Sequence, residues 1–161
     1  MQRLASFALS AALLPAMFSA VALADTDGAA ATVVYQADGG YEDVKDAITM
    51  AVEGRGLIVR EVAHVAEMLN RTGQDLGFPT EVFRQAENIE FCSALLSHEM
   101  VAIDPSNAAT CPLVISVYVL SAEPEQVHVA FRRQTLAGEG AASVGQRLFE
   151  LVDGIVREAI E

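Results

Sequence analysis

The stretch Pro112–Arg132, PLVISVYVLSAEPEQVHVAFR, decides the fold class of this chain. Successive side chains of a strand point to opposite sides. One side of its first half therefore carries Leu113, Ile115, Val117 and Val119, and the other carries Val114, Ser116, Tyr118 and Leu120. In its second half, Val127, Val129 and Phe131 alternate with His128, Ala130 and Arg132. The segment Ser121–Glu125 between them predicts an antiparallel hairpin.

Strand-like and helix-like segments alternate on both sides of this hairpin. The predicted strands are 32–35, 57–59 and 81–91, and the predicted helices are 41–52, 62–70, 93–103 and 144–155. Glycines close the first two helices, and Asp104-Pro105 closes the third. The order predicts a single two-layer α/β (α+β) domain, with a mixed sheet, the antiparallel hairpin in its C-terminal half and helices packed on it. Residues 134–161 then form a linker and a closing helix that packs on the domain.

The second side of the first hairpin strand has two interpretations. Val114, Tyr118 and Leu120 lie there, and Ala130 of the second strand extends the same side. If helices cover only the other side, these residues form an apolar patch for a partner subunit or a ligand. If helices cover both sides, nothing is exposed. The candidate ligand or interface residues are Tyr118, His128 and Arg132.

The N-terminus has the order of a secretory signal peptide. One positive charge at Arg3 precedes a mostly apolar run that ends in Ala22-Leu23-Ala24, and a polar segment begins at Asp25. Small residues at this place predict cleavage after Ala24, although the run is also near the length of an uncleaved anchor. Cleavage predicts a periplasmic domain without a membrane span, and residues 25–31 form a flexible lead-in.

The charge of the mature chain argues against two classes of partner. After cleavage, nine basic residues remain against 22 acidic ones, a formal charge of −13. Nucleic acids and anionic membranes attract clustered Lys and Arg, so neither is an expected partner. The acidic surface is explained by solubility.

Several segments in the same order resemble the domain of unknown function 302 family. They are AENIEFCS (86–93), HEMV (98–101), Asp104-Pro105, CPL (111–113) to Val117-Tyr118, EGRGL (53–57), MLNRTG (68–73) and FRR (131–133). The resemblance covers residues 32–133. It implies a compact, dimer-forming α/β domain that often occurs in exported bacterial proteins. It implies no activity, so no catalytic residue is carried over.

Cys92 and Cys111 are the two cysteines of the chain. In an oxidising compartment an even pair usually closes, so a disulfide is the first interpretation. If the strands before and after the intervening helix were parallel, however, the two sulfurs would lie at opposite edges of the sheet. Antiparallel strands or a returning loop would bring them together.

Two other roles remain open for these sulfurs. At a helix N-terminus, Cys92 would have the low pKa of an active thiolate, but no Cys-x-x-Cys motif accompanies it. A soft-metal site would draw on Cys92, His98, Met100 and Cys111, with His64 and Met68 as a separate pair. His98 and Met100 are about 200° apart on a helix, which disfavours a shared ion. No metal site and no cofactor are therefore predicted.

The sequence favours a non-enzymatic, homodimeric periplasmic module that binds an unknown ligand or partner. No nucleophile elbow or zinc-binding helix motif is present. The alternative is a thiol-redox or copper-type metal-handling protein that uses Cys92 and Cys111.

Overall fold

A computed structural model describes residues 31–78 and 80–161. The predicted signal peptide, its cleavage site and most of the lead-in lie outside the described residues. Within the described part of the chain, no helix has the length and hydropathy needed to cross a membrane.

The described residues form five strands and four α-helices, which alternate as far as the fourth strand. They are β1 (Thr32–Ala37), α1 (Tyr41–Gly54), β2 (Ile58–His64), α2 (Val65–Gly73), β3 (Phe83–Cys92), α3 (Ala94–Ile103), β4 (Leu113–Leu120), β5 (Glu123–Arg132) and α4 (Ala141–Ile160). A short 3₁₀ helix, Pro105–Thr110, follows α3. The predicted class, a single α+β domain with helices packed on a sheet, is confirmed.

The strands form one sheet in the order β1-β5-β4-β3-β2. Every neighbouring pair is antiparallel, including the predicted β4–β5 hairpin, so the sheet is antiparallel throughout rather than mixed. Strands β1 and β2, which run in the same direction, are joined through α1 and lie at opposite edges. Because three strands separate them, no parallel pair forms.

One side of the sheet carries the hydrophobic core. From β4 it receives Leu113, Ile115, Val117 and Val119, each at most 3% exposed. Helices α1, α3 and α4 cover this side with Val44, Ile48, Val52, Leu96, Met100, Val144, Leu148, Val152, Ile155 and Val156. The apolar stripes of the helices and one side of each strand therefore meet in a single layer.

Helix α2 begins three residues later than the periodicity predicts. The prediction placed Val62 at its start, but β2 continues to His64, and Val62 is paired with Ile89 of β3. Pairing with a neighbouring strand outweighs the local helical pattern here. The closing helix contains 20 residues, and its buried residues include Val144, Leu148, Val152 and Ile155 of the predicted apolar stripe.

Asn107 ties the 3₁₀ helix to the loop before α4. Its side chain is 4% exposed. Its amide nitrogen donates to the Met100 carbonyl at 2.9 Å and to the Ala137 carbonyl at 3.0 Å, and its oxygen accepts from the Ala137 N–H at 2.8 Å. These bonds hold residues 134–140 against α3.

Candidate interaction surface

The side of the sheet opposite the core helices is here called the open face. Ten residues line a hollow of about 380 Å³ on it: Thr32, Val34, Val65, Phe83, Ala86, Asn88, Ser116, Tyr118, Leu120 and Ala130. The only helical residue in this lining is Val65, at the start of α2. The side chains of β4 on this face are half-buried, whereas those on the core side are buried. Of the two interpretations of the β4 sequence, the structure therefore favours a sheet that the helices cover on one side.

Three rings from neighbouring strands form a stack on the open face. Tyr118 of β4 lies opposite His128 of β5, and their rings are stacked with centroids 5.0 Å apart. Phe83 of β3 meets Tyr118 edge to face, with ring centroids 5.5 Å apart. His128 is 7% exposed, and its Nε2 lies 3.2 Å from a Glu123 carboxylate oxygen. The sheet thus brings two of the three predicted interface residues together in a rigid aromatic group.

The centre of the open face carries no charged side chain. None of the ten residues that line its hollow is ionisable except Tyr118. The polar side chains of Ser116 and Asn88 are bonded to each other, because the Ser116 hydroxyl donates to the Asn88 amide oxygen at 2.7 Å. A partner could therefore cover this surface without burying an unpaired charge.

Arg132, the third predicted interface residue, is separate from the stack. It lies on the same face but is exposed, and it lines a smaller hollow with Thr110, Pro112 and Val114. Arg133 points to the helical side, where its guanidinium lies 3.6 Å from the centre of the Phe149 ring. Because neighbouring residues at the end of a strand face opposite ways, these two arginines do not form one anion site.

A second apolar hollow adjoins the open face at the end of α2 and is here called the α2 hollow. It has a volume of about 380 Å³, and Phe83 lines both hollows. Its apolar rim is exposed: Leu69, Leu76, Phe78 and Val82, with Phe78 74% exposed. Sequence reasoning did not select these residues. The available signal was two large apolar residues, Leu76 and Phe78, in a glycine-containing loop.

The structure joins Cys92 and Cys111 in a disulfide, with Cα atoms 5.9 Å apart. That separation is usual for a disulfide. The two cysteines are close because β3 and β4 are antiparallel. The C-terminal end of β3, at Cys92, therefore lies next to the N-terminal end of β4, which Cys111 precedes. Antiparallel strands were one of the two arrangements that would bring the sulfurs together. With both sulfurs in the disulfide, neither is a thiolate.

The other predicted soft-metal candidates are not brought together. His98 is exposed on α3, while Met100 is 2% exposed and packs in the core. His64 is the last residue of β2 and pairs through Nδ1 with Glu87 at 2.7 Å, and Met68 on α2 is exposed. Among residues 31–78 and 80–161, no group of three or more His, Cys, Asp or Glu side chains has an arrangement suited to a metal ion.

A polar cluster at the β2 end of the sheet was not predicted. Glu87 of β3 lies 3.3 Å from the ammonium of Lys45, the single lysine of the chain, and also pairs with His64. Burial, followed by the nearby charges of Glu87 and Glu42, raises the pKa of Tyr41. The pKa of Lys45 is raised mainly by its bond to Glu42. Residues from α1, β2 and β3 form this cluster, and their sequence separation hides it from local patterns.

Comparisons with known proteins agree with this architecture. The family model described as "Domain of unknown function DUF302" matches residues 32–155. A solved structure from Bacillus stearothermophilus, described as an uncharacterized conserved DUF302 protein, is similar with a TM-score of 0.56 and 15% identity. The similarity covers 81% of this chain and 94% of that one. No curated protein matches the chain.

Proposed function

This chain belongs to the DUF302 family, and from that premise we propose that it is a non-enzymatic interaction module whose open face binds a ligand or a protein partner. We place it in the periplasm, after signal cleavage, as a homodimer. The observation that carries the proposal is the one-sided packing of the sheet, with an uncharged, partly apolar surface left at its centre. Exposed apolar surface is energetically costly in water, and contiguous patches of it are typical of binding sites.

The geometry of the open face suits recognition of a flat apolar or aromatic group. The Phe83–Tyr118–His128 stack provides a rigid surface, and rigid aromatic side chains lose little conformational entropy on binding. Val34, Leu120 and Ala130 line the same hollow as Phe83 and Tyr118 and add apolar surface to it. In a chain with 22 acidic residues, a central area without carboxylates also avoids charge repulsion with a partner.

Binding to the open face can be tested with the neutral dye Nile red, which becomes fluorescent in apolar surroundings. We expect Leu120→Gln to weaken dye binding about tenfold, because an apolar contact is lost. Met50→Gln is the matched control, since Met50 is an exposed apolar residue of α1 on the other side of the sheet. Phe78→Gln reports separately on the α2 hollow. Equal binding by wild type and Leu120→Gln would contradict the proposal.

The homodimer is tested by light scattering of the mature chain at micromolar concentration. A dimer mass supports the assembly, and a monomer mass removes it from the proposal.

The alternative, a thiol-redox or soft-metal role, gains no specific support from the site. Both sulfurs are in the disulfide, and His98 points to solvent. Counting free thiols in the native protein, with elemental analysis for metal, separates the two proposals. Free thiols or bound copper would favour the alternative.

A further inference from the structure

The outer edge of β1 is the surface on which a second copy of this chain fits, and we propose that two copies pair there to form a continuous ten-stranded sheet. This inference rests on the homodimer of the proposed function and supplies its contact. Strand β1 is an edge strand, and no described strand lies on its outer side. Its outward N–H and C=O groups therefore form a template for another strand.

The two edges of the sheet differ in how they resist such pairing. At the β2 edge, Arg60 and Glu61 are exposed, and the register shifts by a bulge between Val59 and Glu61. Charged residues and bulges are the usual protection of an edge strand. Strand β1, TVVYQA, has no charge and no proline, and its six pairs with β5 follow one unbroken register. The chain therefore protects one edge and leaves the other suited to pairing.

Twofold symmetry restricts the register of such a pair. In an antiparallel pair, residues that lie opposite each other have their side chains on the same side of the sheet. A twofold axis perpendicular to the sheet therefore passes midway between one residue and the same residue of the second copy. Val34 is near the middle of β1, and its side chain is 51% exposed on the open face. With Val34 opposite Val34 of the second copy, Thr32 faces Gln36 and Val33 faces Tyr35. All of these contacts are uncharged.

Two sets of charged side chains lie near β1 in this register. Asp38 follows β1 and would extend beyond Thr32 of the second copy. Thr32 is paired with Arg132 of β5, so that end of the second copy carries a positive charge. On the helical side, Arg157 and Asp153 of α4 already pair with each other beside Tyr35. Asp153 therefore already has a cationic partner on its own chain beside the proposed contact.

The test is spontaneous cross-linking of the mature Val34→Cys variant. Residues opposite each other in an antiparallel pair have Cα atoms about 4.5–5.5 Å apart, within disulfide range. We expect a covalent dimer on non-reducing electrophoresis, because the new cysteine faces its own copy. Arg60→Cys on the β2 edge is the matched control, since Arg60 is also an exposed residue of an edge strand and is not paired with Cys92 in the β2–β3 register, and it should remain uncross-linked.

Register is tested by mixing two further variants, Thr32→Cys and Gln36→Cys. Together they should form a mixed covalent dimer, and each alone should cross-link far less. Val34→Lys, which brings two like charges together, should shift the protein to monomer in light scattering, whereas Ile58→Lys should not.

The outcomes separate this inference from the proposed function. A wild-type monomer overturns both the homodimer and its β1 contact. A wild-type dimer that Val34→Lys leaves intact and Val34→Cys fails to cross-link overturns only the β1 contact. Dye binding to the open face reports on the binding proposal in either case.

Discussion

Hydrogen bonds of three side chains join the edge strand β1 to helix α4. The three residues are Tyr35 of β1 and Asp153 and Arg157 of α4. The Tyr35 hydroxyl donates to an Asp153 oxygen at 2.5 Å, and the Arg157 Nε donates to the other oxygen at 2.8 Å. Burial alone would raise the pKa of Asp153, but the hydrogen bonds from Tyr35 and Arg157 and the Arg157 charge lower it. Burial and Asp153 together raise the pKa of Tyr35.

The lowered pKa of Asp153 predicts a pH-dependent contribution to stability. The contribution is present above the unfolded carboxyl pKa of about 3.9 and is lost as the pH falls through the lower folded value. We expect Asp153→Asn to lower the free energy of unfolding at pH 7 by about 1 kcal/mol, since solvent screens part of the interaction. Urea denaturation at pH 7 and near pH 2 should show a difference that shrinks in acid. A difference independent of pH would contradict this account.

Residue types alone identified Tyr118, His128 and the two cysteines as notable, because aromatic, imidazole and thiol groups are chemically distinctive. Residue types did not identify Leu76 or Phe78. These side chains line the α2 hollow because the loop after α2 folds back beside the helix. A local pattern can say that a residue is apolar. Whether it is buried depends on what the rest of the chain brings against it.

At the scale of elements, the antiparallel β3–β4 pair explains the disulfide. The chain passes from β3 into α3 after Cys92 and returns to the same end of the strands at Cys111, 19 residues later. The bridge therefore closes a loop around α3 and the 3₁₀ helix. The sequence identified both cysteines as a candidate pair, but it did not show whether the strands before and after the helix are parallel or antiparallel.

The disulfide predicts a measurable loss of stability on its removal. In the chain-entropy account, a closed loop of this length contributes about 3 kcal/mol. We expect the Cys92→Ala/Cys111→Ala double variant to unfold at lower guanidinium concentration by that free energy, with its α-helical circular dichroism retained. Reduced wild-type protein serves as the comparison and should behave like the double variant. Equal stability of oxidised and reduced wild type would contradict the prediction.

At the scale of the whole molecule, α4 is part of the core rather than an appendage. It contributes Val144, Leu148, Val152, Ile155 and Val156 to the buried cluster. The family match also extends to residue 155, beyond the resemblance over 32–133. The closing helix therefore completes the layer that covers the sheet.

Truncation tests this dependence. A mature chain that ends at Arg133 exposes the core side of β5 and should show no cooperative unfolding transition, because a large share of the buried apolar surface is missing. A chain that ends at Arg157 keeps all five core residues of α4 and should unfold cooperatively. Calorimetry distinguishes the two, and a cooperative transition in the shorter chain would show that α4 is dispensable.

The sequence by itself determined the class of the fold, the hairpin and most helix positions, because alternation and helical spacing are local consequences of backbone geometry. The family was recognised separately, from the resemblance of several segments in the same order. Only the tertiary structure decided the antiparallel order of the sheet, the closure of Cys92 with Cys111 and the exposure of one side of β4. Those features depend on which strands become neighbours and on which side the helices pack. Such contacts join residues far apart in the chain, so no local pattern records them.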